Sequence, residues 1–152
     1  MIAKLQCVVV DCPDPLALAR FYSAVLGWRV EADDSDPGWV WLTDPATRQR
    51  IAFQRVESAY VPPRWPDPAH PQQMHLDFDV DTRADVERAQ REVLALGATF
   101  LHDSGGRERG FVVFSDPNAL DLPFYGTGRS TAARSPAHAP RGRNARAGRP
   151  GA

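Results

Sequence analysis

Cysteine is scarce in this sequence: Cys7 and Cys12 are the only two. They sit on opposite parities of one extended run and its exit, so geometry disfavours a disulfide between them. Their spacing, without companion ligands, does not read as a zinc knuckle either. Long apolar runs are missing too. No stretch approaches the ~20 residues needed to cross a bilayer. Met1-Ile2-Ala3-Lys4 passes directly into a strand-like run without an apolar leader and cleavage site, so the expectation is a cytoplasmic protein. Acid is absent from residues 126–152, which carry Arg129, Arg134, Arg141, Arg143, Arg146 and Arg149. The preceding 125 residues hold 12 basic and 19 acidic side chains, a net charge of −7. Such a body is not built to bind nucleic acid.

What is present suffices for one core of ordinary size. The chain has 152 residues, of which 43% are hydrophobic. Residues 5–10 (Leu-Gln-Cys-Val-Val-Val) predict a buried strand ended by Asp11-Cys12-Pro13. Asp14 reads as an N-cap with Pro15 at the first helical position. Leu16, Ala19, Phe21, Tyr22, Val25 and Leu26 recur at helical spacing, and Gly27 supplies the stop. Strands follow at Trp28 to Ala32, Trp39 to Thr43 and Ile51 to Val56.

Residues 57–72 form a crossing with Pro62, Pro63, Pro66, Pro68 and Pro71, stiff and extended by composition. The pattern then restarts. Over 73–80, His75, Asp77 and Asp79 alternate with Met74, Leu76, Phe78 and Val80, the period of a strand with one packed and one wetter face. A helix is predicted from Arg83 to Leu96, with Val86, Ala89, Val93 and Leu94 as its stripe, ending at Gly97. Strands at Ala98–His102, Gly110–Ser115 and Leu120–Tyr125 complete the pattern, with Asp116-Pro117-Asn118 as a turn.

The halves also match by position. Leu26-Gly27 corresponds to Leu96-Gly97 at an offset of 70, and Asp44-Pro45 to Asp116-Pro117 at 72. At an offset of 68, Cys7 falls opposite His75, and Val9 and Asp11 opposite Asp77 and Asp79. This predicts a duplicated βαβββ unit. The fold class is α+β: two tandem modules, 1–56 and 73–125, joined by the linker 57–72 into a curved, partly open mixed-sheet barrel around a cleft. Residues 126–152 are Gly, Ala, Pro, Ser and Arg with almost no large apolar side chain, which predicts a disordered tail.

These residues resemble the vicinal oxygen chelate superfamily, which includes glyoxalase I, extradiol dioxygenases and the fosfomycin and bleomycin resistance proteins. The resemblance rests on Asp14, Phe21-Tyr22, Leu26-Gly27, the His75-Leu76-Asp77 strand, Leu96-Gly97-Ala98 and the Asp116-Pro117 turn. It covers about residues 3–125. Arg64-Trp65-Pro66-Asp67-Pro68 ahead of Gln72-Gln73-Met74-His75 looks most like the glyoxalase-like members of unassigned activity. In metal-dependent members four side chains converge on a divalent ion, from the first and last strand of each module. Here the resemblance places those positions at Cys7, His75, Gln54 and Pro123. His75 is the one usual ligand among them, and Pro123 offers no donor. A metal would therefore rest on His75 with Cys7 and Gln54, or with Asp77 or Asp121 standing in.

His75 reads either as a general base or as a cleft histidine satisfied by a hydrogen bond. Asp77 and Asp79 are an acid–base pair about 6–7 Å apart on one strand face, or carboxylates bound to Arg55 and Arg29. Cys7 is a nucleophile or an inert buried thiol. Trp39, Trp41, Trp65, Phe111 and Tyr125 are candidate aromatic lining, with Trp65 as the lid residue on the stiffened crossing and Trp39 and Phe111 shared with the core. The expectation is a small-organic-molecule binder of the bleomycin-resistance sort. Its cleft is lined by Cys7, Trp41, Gln54, Trp65, His75, Asp77, Phe111 and Tyr125, and it needs no cofactor. The alternatives are a metal-dependent lyase, isomerase or dioxygenase of glyoxalase I character, with one divalent ion, and a homodimeric interaction module with a vestigial cleft. Neither a membrane nor, through the folded body, nucleic acid is an expected partner.

Overall fold

The structure, a computed structural model, describes residues 1–57, 60–72, 74–105 and 111–126. Its elements run β1 (Val8–Cys12), α1 (Pro15–Leu26), β2 (Arg29–Ala32), β3 (Trp39–Thr43), β4 (Arg50–Arg55), then β5 (Phe78–Val80), α2 (Arg83–Ala95), β6 (Thr99–Asp103), β7 (Phe111–Ser115) and β8 (Asp121–Gly126). The order β-α-β-β-β occurs twice. Two four-stranded mixed sheets result, β1-β4-β3-β2 and β5-β8-β7-β6, and they do not close into a barrel. In each, the first strand pairs in parallel with the last and the rest are antiparallel.

Local chemistry fixes the helices. The Asp14 carboxylate accepts the Ala17 N–H (3.0 Å) with Pro15 in the first turn. Gly27 ends α1 at φ +70°, a left-handed conformation that costs an L side chain but not glycine. α2 opens on a capping box, in which Thr82 and Asp85 exchange side-chain-to-backbone bonds of 3.3 and 3.1 Å. None of the described helices is long and apolar enough to cross a membrane.

Alternation then decides which side chains meet the helices. Val10 and Cys12 of β1, Val40 and Leu42 of β3 and Phe53 of β4 are buried with Leu18, Phe21 and Tyr22 of α1. Val86 and Val93 of α2 are buried with Val112, Phe114, Leu122 and Phe124. Both sets form one contiguous cluster rather than two cores. Each fully buried large side chain contributes about 1.5–3 kcal/mol. One polar link crosses between the halves inside this apolar surround: Tyr22 Oη–H donates to Asp116 Oδ2 at 2.8 Å, while Asp116 Oδ1 accepts the N–H groups of Asn118 (2.7 Å) and Leu120 (2.9 Å). Burial holds the Asp116 carboxyl above its ordinary range, against the pull of those bonds.

Most expected boundaries move by a residue or more, three of them for a visible reason. The first strand is Val8–Cys12 rather than 5–10, because Asp11 and Cys12 continue the ladder opposite Gln54 and Arg55. The strand expected over 73–80 shortens to Phe78–Val80. There the Leu76 N–H reaches the Asp121 carbonyl at only 3.4 Å, and the Gln72 side chain meets Asp121 of β8. The second strand of the second half runs Thr99–Asp103 and carries a bulge between Phe100 and His102. The tail expected over 126–152 lies outside the described residues except for Gly126, which ends β8.

Candidate functional site

A cavity of about 430 Å³ opens where the two halves and the crossing meet. Val9, Val10 and Asp11 of β1 form one wall. Tyr60 to Pro63, His70 and Pro71 of the crossing form another, and Met74 with Asn118 and Leu120 of the β7–β8 turn closes the third. Asn118, 9% exposed, locks the corner. Its Nδ2 donates to the Asp11 carbonyl (3.0 Å) and to Tyr60 Oη (2.9 Å), and Tyr60 Oη–H donates to the Asn118 carbonyl (3.2 Å). His70 Nδ1 meets Asp67 Oδ2 at 2.9 Å, and that bond is the first cause of a lowered Asp67 carboxyl pKa. The lining is otherwise apolar, a composition suited to a small organic ligand.

A polar array lies beside the cavity, around His75. With its amide oriented to satisfy both neighbours, Gln72 donates to Asp121 Oδ2 (2.5 Å) and accepts from His75 Nδ1 (3.1 Å). His75 Nε2 faces Asp77 Oδ1 at 3.4 Å. Asp121 is buried, and desolvation raises its carboxyl pKa while the nearby His75 charge opposes that rise. His75 and Asp77 are about half exposed, at 48% and 55%. The array can hold an imidazole in one orientation beside a proton-binding carboxyl.

A third feature is a row of rings on the face of the second sheet turned away from α2. Trp65 of the crossing meets His102 of β6 (5.8 Å between centroids), His102 meets Phe111 of β7 (6.2 Å), and Phe111 meets Tyr125 of β8 (5.4 Å). His102 joins this row because the bulge opposes it to Val113 and so turns it to the face of Phe111. On the corresponding face of the first sheet, Trp39 and Trp41 meet edge to face (5.2 Å), and the Arg50 guanidinium lies 4.1 Å over the Trp41 ring.

The residues expected from sequence to share one cleft divide between the two sheets, with Asp77 of the polar array close enough to the ring row for its charge to act on Tyr125. Trp65, Phe111 and Tyr125 belong to the ring row, His75 and Asp77 to the polar array, and Trp41 to the first sheet. Gln54 faces a separate hollow with Trp39, Asp36 and Glu57. Cys7 is half-buried just ahead of β1. None of the eight lines the 430 Å³ cavity. Asp77 does not meet Arg55 or Arg29; Arg55 donates to the Pro37 carbonyl and Arg29 pairs with Glu31. Cys12, the other thiol, is pushed up to about 11, by burial first and then by the carboxylates of Asp14, Asp116 and Asp11, which makes it a poor nucleophile.

The metal positions implied by the resemblance do not fit an ion. Among the described residues no three His, Cys, Asp or Glu side chains converge closely enough to hold one. Pro123 is buried on β8 and donates nothing, and Gln54 opens on a hollow that His75 does not line. The neighbour that Gln72 bridges to His75 is Asp121, two residues before Pro123.

Asn118, Tyr60, His70 and Met74 escaped the sequence reading as site residues. Their signals were faint: an Asp67-x-x-His70 spacing inside the proline-rich crossing, and an asparagine directly after Asp116-Pro117.

The chain matches the glyoxalase-like domain over residues 7–122. No curated protein matches it. Among solved structures it is similar to a glyoxalase/bleomycin resistance protein/dioxygenase family enzyme from Burkholderia phytofirmans PsJN, at 21% identity and a TM-score of 0.62, covering 81% of this chain and 98% of that one. It is similar to a variant of the fosfomycin resistance protein FosX from Listeria monocytogenes, held with Mn(II) and a dihydroxypropylphosphonic acid, at 13% identity, a TM-score of 0.60, and coverage of 85% and 93%. The oxidase ChaP-H2 aligns at 19% identity and a TM-score of 0.55, covering 89% of this chain and all (100%) of that one. At these identities the likeness concerns the fold alone.

Proposed function

The chain belongs to the glyoxalase-like domain family, and from that premise we propose that it binds a small organic molecule in the cavity between β1, the crossing and the β7–β8 turn. The observation that carries this reading is the composition of the walls: both halves and the proline-stiffened crossing contribute to one 430 Å³ space. Its volume falls in the range of small-molecule sites. Its valine, proline, methionine and leucine walls supply binding by removing apolar surface from water, at roughly 25 cal/mol per Å². The Asn118–Tyr60–Asp11 bonds fix the cavity's shape before the ligand arrives, which limits the ordering cost of binding. A fosfomycin resistance protein and an oxidase share the fold, so the fold itself selects no reaction.

A second reading, an enzyme centred on His75, is favoured by one observation, the Asp121–Gln72–His75–Asp77 array. There the buried carboxyl, acting through Gln72, would orient the imidazole as a general base.

The two readings separate in one thermal-shift experiment on a small-molecule library, run on the wild type and on Val9→Trp and His75→Ala variants. Ligands at a hundredfold excess over Kd stabilise by about 2.7 kcal/mol. The first reading expects that stabilisation to vanish in Val9→Trp, whose indole fills the cavity, and to survive in His75→Ala. The reverse pattern would transfer the site to His75.

A further inference from the structure

We infer that the ligand of this cavity is a hydrogen-bond donor carrying positive charge: a small organic amine with an apolar body. The inference rests on reading the cavity as the ligand site and follows from counting the protons its side chains still have to give. Asn118 spends both Nδ2 protons, on the Asp11 carbonyl and on Tyr60 Oη. Tyr60 spends its hydroxyl proton on the Asn118 carbonyl. His70 directs Nδ1 at Asp67, so in the neutral ring Nε2 is left as an acceptor. The Asp11 carboxylate and Asn118 Oδ1 accept no hydrogen bond from the described residues.

Among the described residues, every polar side chain lining the cavity is therefore an acceptor with capacity left or a donor already committed, and none is a lysine or arginine. A carboxylate or phosphate brought here would meet a like charge at Asp11 and find no side-chain donor among the described residues. An ammonium brings donors to a lining whose polar side chains, Asp11, Asn118 and His70, still offer acceptors, while its apolar body suits Val9, Met74 and Leu120.

The test is a matched series on one apolar body, naphthylmethylamine, naphthylmethanol and naphthoate, titrated at neutral pH into the full chain and into Asp11→Asn and Val9→Trp variants. The inference expects the amine to bind at least tenfold tighter than the alcohol and the carboxylate to bind weakest. It expects Asp11→Asn to bring the amine down to the alcohol, and added salt to weaken the amine alone. Equal affinities, or a preference for naphthoate, abolished by Val9→Trp, would refute the amine class and leave the cavity reading intact. An amine preference that Asp11→Asn does not change also refutes it, since the charge would then be read elsewhere. If no member binds at millimolar concentration, the cavity reading fails and takes the inference with it.

Discussion

The two sheets share a strand order and differ in what their helix-free faces carry. On the first, Trp39, Trp41, Arg50 and Glu31 make a partly exposed aromatic and charged surface, with Arg50 bonded to Glu31 at 3.2 Å. On the second, Asp121, Val113 and Pro123 are buried, with Gln72 and Trp65 of the crossing lying against that face, and the ring row stays partly open. Duplication thus copied a scaffold and not a site. A cavity arises where one half's edge strand, the other half's turn and the segment between them come together.

The comparison breaks first on the shared core. Phe53→Ala in the first sheet and Phe114→Ala in the second each remove a fully buried ring and are expected to cost about 3–5 kcal/mol. Because the buried cluster is contiguous, both should shift one common unfolding transition in urea, followed by tryptophan fluorescence and circular dichroism. Two separate transitions would mean that the halves are independent.

The polar link comes next. Asp116→Ala leaves the Tyr22 hydroxyl and two backbone N–H groups without their acceptor, at about 1–3 kcal/mol for each donor that stays unpaired. Asp116→Asn keeps an acceptor oxygen and costs less, but changes the pH response. Burial raises the native Asp116 pKa, so the native state holds its proton more tightly than the unfolded chain does. The resulting stability is fully present below the ordinary carboxyl pKa and is lost as pH rises through the raised native value. The wild type should therefore lose stability relative to Asp116→Asn as pH climbs through that window in thermal melts. A difference that stays constant across the window would dispose of the buried-carboxyl account.

The smallest effect sharpens the contrast between the open faces. Arg50→Gln removes the cation over Trp41 and the ion pair to Glu31, both about one-third exposed, for roughly 0.5–1 kcal/mol that should shrink in salt. A double-mutant cycle with Trp41→Ala isolates the stacking contribution. Coupling near zero would reduce this face to solvated side chains.

Much of this architecture could be read directly. The helix caps at Asp14 and Gly27, the period-two runs and the repeated Leu-Gly and Asp-Pro pairs are local signals, and local chemistry produced the elements they announced. The site was less legible. Alternation places His102 only if the strand is regular, and the bulge after Phe100 reversed its face. The sequence alternates from Met74 to Asp77, yet pairing with β8 is regular only from Phe78, because a ladder needs a partner at the right distance as well as a suitable pattern.

By itself the sequence determined the duplicated βαβββ order, the helix ends and which residues are apolar enough to enter a core, since each depends on neighbours a few positions away. Only the tertiary structure decided that the crossing lies against the second sheet, that Tyr22 and Asp116 meet across 94 positions, and that Asp11 and Asn118 corner a cavity from 107 positions apart. Such contacts are chosen by competition among all the surfaces the folded chain brings within reach, and that competition leaves no periodicity to read.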